Sequence, residues 1–192
     1  MIIIEIKHMF DKEAFKRIVS LLRGEEDITL IFDCPGGNIN YAMAIAEILV
    51  KAPRTRAICK KAVSAPFFVA LYCDERFALN GSKLWAHTGM YNREEIDISY
   101  RMVNTIPQEV VDNFRKFTTM LYTRLKDLGM PQQGVEWLSA VGWLKKNAEW
   151  WIEYDFFKEI SPDEIPVPND HLKEQARRDV VQLLSNRITA AG

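Results

Sequence analysis

Short apolar runs alternate with stretches of helical spacing along most of the chain. Ile2–Ile6 is rich in β-branched residues and predicts a strand. Asp11 is placed to cap a helix running to about Leu22, with Phe15, Ile18, Val19 and Leu22 on one face and Gly24 at its end. Ile28–Asp33 is almost wholly apolar and predicts a strand buried on both sides, as in a parallel sheet. Cys34-Pro35-Gly36-Gly37 reads as a turn, after which the spacing of Ala42, Ile45, Ala46 and Leu49 predicts a helix over Tyr41–Lys51. Thr55–Cys59 predicts a third strand and the small, apolar Ser64–Tyr72 a buried helix. Arg76–Leu79 and Lys83–Ala86 flank Asn80-Gly81, a tight-turn signal. Arg93–Leu128 has helical character interrupted near Pro107, where a ring without an N–H breaks the ladder. A tryptophan-rich helix is predicted over Asn147–Tyr154, an extended linker over the three prolines of Ser161–Asn169, and a last helix, a docking arm, over His171–Leu184.

Strand–helix repeats of this kind predict an α/β fold with right-handed crossovers and a mostly parallel sheet. Composition narrows this picture without redirecting it. At 192 residues, 48% hydrophobic and 27% charged, the chain suits one domain with a sizeable core. Its net charge of −1 gives no reason to expect nucleic acid or an anionic membrane as partner. No apolar run approaches the roughly 20 residues that span a bilayer, and the start lacks the basic flank of a secretory signal. Three cysteines (Cys34, Cys59, Cys73) leave one unpaired in any scheme and show no metal-site spacing, so reduced thiols in a cytoplasmic protein are expected, with no metal and no cofactor.

Three features fall where open α/β sheets collect their ligands, at the carboxyl ends of the strands. The glycines of Cys34-Pro35-Gly36-Gly37 allow a sharp backbone with bare N–H groups suited to an anion or oxyanion, although such a sequence is also simply a turn. Ser64 opens a small-residue helix, where its hydroxyl can face the site while the Ala65 amide stabilises an oxyanion. On position alone, a serine there is by default an N-cap. His87 follows the segment Lys83–Ala86 and is the one histidine of this central block; a serine needs a neighbouring base to attack at neutral pH, and imidazole is the usual one.

In this order the segments resemble the Clp peptidase family. Its pattern runs strand, Ser-Pro-Gly-Gly turn, helix, strand, small-residue segment with the nucleophilic serine, then Ile-His-Gln-Pro. Ile31-Phe32-Asp33-Cys34-Pro35-Gly36-Gly37 is similar to the first part, Ile58 to Pro66 to the serine segment, and Leu84-Trp85-Ala86-His87-Thr88-Gly89 to the histidine segment, with His87 23 residues after Ser64. Ala148 to Phe157 looks like the family's Ala-Glu-Glu-Ala-x-Glu-Tyr-Gly-Leu-Ile. The resemblance implies a Clp/crotonase-like spiral of βαβ units over residues 1–160, carrying an extended helical handle, with a linker and C-terminal helix over 161–192. It also implies Ser64 as nucleophile, His87 as general base, and an oxyanion hole from the amides of Gly36, Gly37 and Ala65. The implied partners are a protein or peptide substrate and further copies of the chain in a homo-oligomer.

Departures from the pattern shape the expectations. Lys60-Lys61 and Pro66 stand where the family has glycines around the serine. A gap-free match places Trp143 at the triad aspartate, leaving Glu136, Glu149 or Asp127 as candidate acids, or none; a Ser–Lys dyad through Lys60, Lys61 or Lys83 is a further option. Met1 falls at the family's first core strand, so docking of an ATP-dependent unfoldase is not expected. Trp137, Trp143, Trp150 and Trp151 suit either a subunit contact or the core. Beside the serine peptidase stand two other readings: a catalytically inactive assembly or binding subunit, and an acyl-CoA enzyme of the crotonase type, which would use two similar amides and no serine.

Overall fold

The computed structural model describes residues 1–21, 27–88, 90–91, 94–95 and 107–169. A strand β1 (Ile2–Phe10) leads into helix α1 (Lys12–Leu21), then β2 (Ile28–Gly37), α2 (Ile39–Leu49), β3 (Thr55–Val63), α3 (Ala65–Leu71) and β4 (Glu75–His87). Two short strands, β5 (Met90–Tyr91) and β6 (Glu94–Glu95), form an antiparallel pair of their own. Helices α4 (Gln108–Asp127) and α5 (Gln132–Val141), strand β7 (Trp143–Asn147), helix α6 (Ala148–Glu153) and strand β8 (Lys158–Glu159) complete the order.

The main sheet runs β1-β2-β3-β4-β7, with β8 beside β4. All pairs are parallel except β4 with β7. The mostly parallel α/β architecture expected from the apolar runs is therefore what forms. Alternation along the strands divides the sheet into two faces. Ile4, Ile6, Leu30, Phe32, Cys59, Ala62, Leu84 and Ala86 join the helices in one core, in which Phe67 and Phe68 of α3 are fully buried. Each such side chain contributes about 1.5–3 kcal/mol. On the other face Ile3, Ile31 and Ile58 form a small second cluster, covered by Ile160 and Ile165 of the segment after β8. That segment is laced to the edge strand at its end, where Asn169 exchanges hydrogen bonds with Ile3 through its side chain (2.8 Å) and its backbone N–H (3.0 Å).

Asp11 caps α1 as expected, and Asn38 caps α2. Asp11 Oδ1 accepts the N–H groups of Glu13 and Ala14, both at 3.0 Å, and Asn38 Oδ1 accepts that of Asn40 at 2.8 Å. These bonds satisfy donors that the first helical turn leaves open.

Several elements differ from the periodicity. Cys34-Pro35-Gly36-Gly37 is not a turn but the end of β2, because β1 continues to Phe10 and supplies it with a partner as far as Gly37. Asn80-Gly81 likewise makes no hairpin: β4 is parallel to β3 on both sides of it, and the register jumps from Cys59↔Ala78 to Lys61↔Lys83. The extra residues form an irregularity in one strand, held by Glu149, whose Oε1 accepts the Gly81 N–H at 2.6 Å. Residues 94–95 are strand rather than helix, and α4 starts directly after Pro107, while 96–106 of the expected helical stretch lie outside the described residues. The sequence offered no assignment for α5 and β7. Gly24 and the predicted helix His171–Leu184 lie outside the described residues.

Candidate active site

The strand β3 ends at Val63 and α3 begins at Ala65, leaving Ser64 alone to make the corner. Its backbone takes φ 67° and ψ −119°, a conformation L-residues rarely adopt; such a residue costs about 1–3 kcal/mol and needs a surround that over-determines it. Here the Ser64 N–H donates to the Trp85 carbonyl of β4 at 2.8 Å, and its carbonyl accepts the Phe68 N–H of α3 at 2.9 Å. The corner is thus pinned between sheet and helix. Ser64 occupies the N-cap position of α3, yet its side chain makes no capping bond. The hydroxyl instead is hydrogen-bonded to Nε2 of His87, the last residue of β4. Both residues are nearly buried, at 8% and 5% exposure.

Ser64 Oγ thus meets an imidazole nitrogen and not the helix end, so the serine side chain is not an N-cap. With its proton on Nδ1, neutral imidazole presents Nε2 as acceptor to the Ser64 hydroxyl. His87 is steered by the strand that carries it. Trp151, fully buried, donates its indole N–H to the Leu84 carbonyl at 2.6 Å and packs against Phe67 at 4.7 Å between ring centres, tying β4 to α3.

Beside His87 in the antiparallel ladder sits Trp143, the first residue of β7. The two rings stack with centroids 4.0 Å apart and planes 8° from parallel. The Trp143 indole N–H is buried without an acceptor among the described residues, a cost that the stack and its packing offset. A flat aromatic face therefore covers the imidazole at the position the family resemblance gives to a carboxylate.

Gly36 is brought alongside the corner. It has φ 146°, and a Cβ there would lie 3.7 Å from the Val63 carbonyl oxygen and 3.8 Å from Ser64 Cβ. Gly37 is closed off on the other side, where a Cβ would run into the Phe10 backbone and Cβ. Only glycine lets β2 pass so close to β1 at this point. Ala65 is the first residue of α3, and its N–H is one of those that have no intrahelical acceptor. Ser64, His87, Gly36 and Ala65 thus converge from the β3–α3 corner, β4, β2 and α3.

Over residues 1–138 the sequence matches the family described as Clp protease. The chain belongs to the Clp protease family. Among solved structures it is similar to the ClpP protease catalytic domain from Plasmodium falciparum, at 17% sequence identity and a TM-score of 0.62, over 86% of this chain and 88% of that one. At that identity the likeness speaks for the fold alone. No curated protein matches the sequence.

The three carboxylates expected as possible acids of a Clp-type triad are all exposed. Glu136 is exposed on α5 and accepts the Gln132 side-chain N–H at 2.9 Å. Glu149 is exposed on α6 and engaged with Gly81. Asp127 is exposed at the last residue of α4. Of the lysines, Lys60 is held by Glu5 at 2.8 Å and Lys83 lies over the Trp85 ring at 5.7 Å. The thiols are free and buried. Burial pushes the Cys34 and Cys59 thiols up, and that of Cys73 up to about 12; none offers a thiolate nucleophile at neutral pH. Among the described residues no group of three or more His, Cys, Asp or Glu could hold a metal ion, and no helix is long and apolar enough to cross a membrane. The stacking partner of His87 was visible in the sequence only as a tryptophan at an expected carboxylate position; its use as a cover for the imidazole carried no signal of its own.

Proposed function

We propose that the chain is a serine peptidase that hydrolyses peptide bonds in proteins or peptides through an acyl-enzyme on Ser64. The observation that carries this reading is the Ser64 Oγ to His87 Nε2 hydrogen bond, made by a serine whose backbone is strained and whose side chain forgoes the helix cap beside it. His87 takes the hydroxyl proton as Oγ attacks the carbonyl carbon. The negative charge that develops on the carbonyl oxygen is held by backbone N–H groups of Ala65 and of the Gly36/Gly37 segment, which pass beside Ser64 and cost no reorganisation as charge forms. Collapse breaks the C–N bond, and the departing amine takes the proton from His87. Water, deprotonated by the same imidazole, then releases the acyl group and restores Ser64.

Trp143, the partner of His87 in the β4–β7 ladder, supports the imidazole from one face. An orienting carboxylate in a triad mainly sets tautomer and orientation, and its loss weakens such catalysis without abolishing it. Glu136, Glu149 and Asp127 are the carboxylates proposed for that role. A homo-oligomer in the cytoplasm, free of metal and cofactor, belongs to the same reading. The second reading, a non-catalytic binding or assembly subunit, draws on one observation, the indole that stands where the resemblance puts the acid.

A fluorophosphonate probe separates the two. Wild-type protein is expected to become covalently labelled and Ser64→Ala to remain unlabelled. A folded wild type that takes no label under conditions that label an ordinary serine hydrolase overturns the catalytic reading in favour of the binding subunit.

A further inference from the structure

The sheet face that carries His87 bears a lysine-rich strip leading to it. In register across the ladder lie Lys61 of β3, Lys83 of β4 and Asn147 of β7, and two residues further along Val63, Trp85 and Lys145. The next step is His87 beside Trp143. Lys83 and Lys145 both place their ammonium groups over the Trp85 ring, at 5.7 and 5.6 Å, and Lys145 also lies 4.6 Å from the Trp143 ring centre. Trp143 in turn stacks on His87, while the Trp85 carbonyl receives the Ser64 N–H. The cations therefore border the nucleophile through two aromatic rings.

This arrangement is costly for the fold alone. Two ammonium groups held close together repel one another, and Lys61 and Lys83 are in register on the neighbouring parallel strands β3 and β4. Among the described residues, Lys61, Lys83 and Lys145 form no ion pair, although Asp33 is in register with Lys61; neighbouring Lys60, by contrast, is tied to Glu5. Overall charge does not account for the cluster either, since the chain as a whole carries −1. Lys83 and Lys145 are exposed and Lys61 half-exposed, so the strip is open to a ligand.

We infer that this strip is a specificity element that receives an acidic stretch of a peptide, placing Asp or Glu side chains next to the bond presented to Ser64. Cleavage of the bound peptide rests on the peptidase reading, but the binding itself needs no turnover. Carboxylates there offset the mutual repulsion of the lysines, and Trp85 offers its ring to the neighbouring apolar part of the peptide. Ammonium groups are point charges, so the selection is for negative charge rather than for one side-chain shape.

The test measures anisotropy of two fluorescent peptides, identical except for three Glu in one and three Lys in the other, titrated with Ser64→Ala protein at low ionic strength. The acidic peptide is expected to bind at least about tenfold more tightly, with the gap closing at roughly 0.5 M salt. Reversing the charge with Lys83→Glu and Lys145→Glu together is expected to remove or invert the preference, and Lys83→Gln with Lys145→Gln removes it if the reversal unfolds the protein. Lys146→Glu, on the far face of β7, serves as the control that leaves it intact. Equal affinities for the two peptides, or a preference that survives the lysine changes, overturns the inference. Failure of the peptidase reading looks different: acidic peptides bind Ser64→Ala preferentially, yet the wild type takes no probe and cleaves neither peptide.

Discussion

From β1 to β4 the helix side of the sheet is uniform: Ile4, Leu30, Phe32, Cys59, Ala62, Leu84 and Ala86 all enter one core. The opposite side changes character along its length. Near the amino ends of the strands Ile3, Ile31 and Ile58 make a small apolar cluster under Ile160 and Ile165; towards the carboxyl ends come Glu5, Lys60, Lys61, Lys83, Trp85, Trp143 and His87. The difference reflects what each face must do. A face pressed on helices gains only by excluding water, so any polar group there costs free energy. A face left open beyond the reach of the covering segment is free to carry charge, and only there can an imidazole and a hydroxyl meet a ligand.

Neighbouring residues of β4 can break this comparison most directly. The largest effect is expected at its end. His87→Gln should slow reaction of Ser64 with a fluorophosphonate by roughly 100- to 10,000-fold, because a general base is lost, while the thermal midpoint moves little; unchanged labelling kinetics would remove His87 from the chemistry. Next come Leu84→Ala and Lys83→Ala, adjacent in sequence and opposite in direction. Leu84 is fully buried, and its truncation is expected to cost about 2.5–5 kcal/mol in denaturant unfolding, against less than about 0.5 kcal/mol for exposed Lys83. Similar losses for both would mean that the two faces are not distinct. The smallest contrast between two variants sharpens the comparison at the corner itself. Ser64→Gly should be more stable than Ser64→Ala by about 1 kcal/mol, because glycine adopts φ 67° without strain. If the two variants unfold at the same denaturant concentration, the corner stores no strain.

Much of the core was legible because burial leaves a periodic trace. The run Ile28–Asp33 and the spacing of Ala42, Ile45, Ala46 and Leu49 gave β2 and α2 to within a few residues, and Asp11 marked the start of α1. Where the trace misled, a partner strand had overridden a local signal. Cys34-Pro35-Gly36-Gly37 has turn chemistry, yet β1 holds it extended; Asn80-Gly81 has hairpin chemistry, yet β3 holds both flanks parallel and Glu149 takes up the freed N–H. Strand β7 escaped notice because Trp143-Leu144-Lys145-Lys146-Asn147 is short, charged and half-solvated, and becomes a strand only through its ladder with β4.

The sequence by itself determined the class of fold, the order of its strands and helices from Ile2 to Leu71, and the residue types available for chemistry: one serine at a strand-to-helix junction, one histidine after an apolar segment, and two adjacent glycines. These arise from local rules, since periodicity and backbone freedom act over a few residues. Tertiary structure alone decided that the Ser64 hydroxyl turns to His87 rather than to its own helix, that Trp143 lies flat on that imidazole, and that three lysines from three strands form one strip. Those outcomes depend on the register of β3, β4 and β7, and register is set by how an entire face fits its core, a quantity no single segment carries.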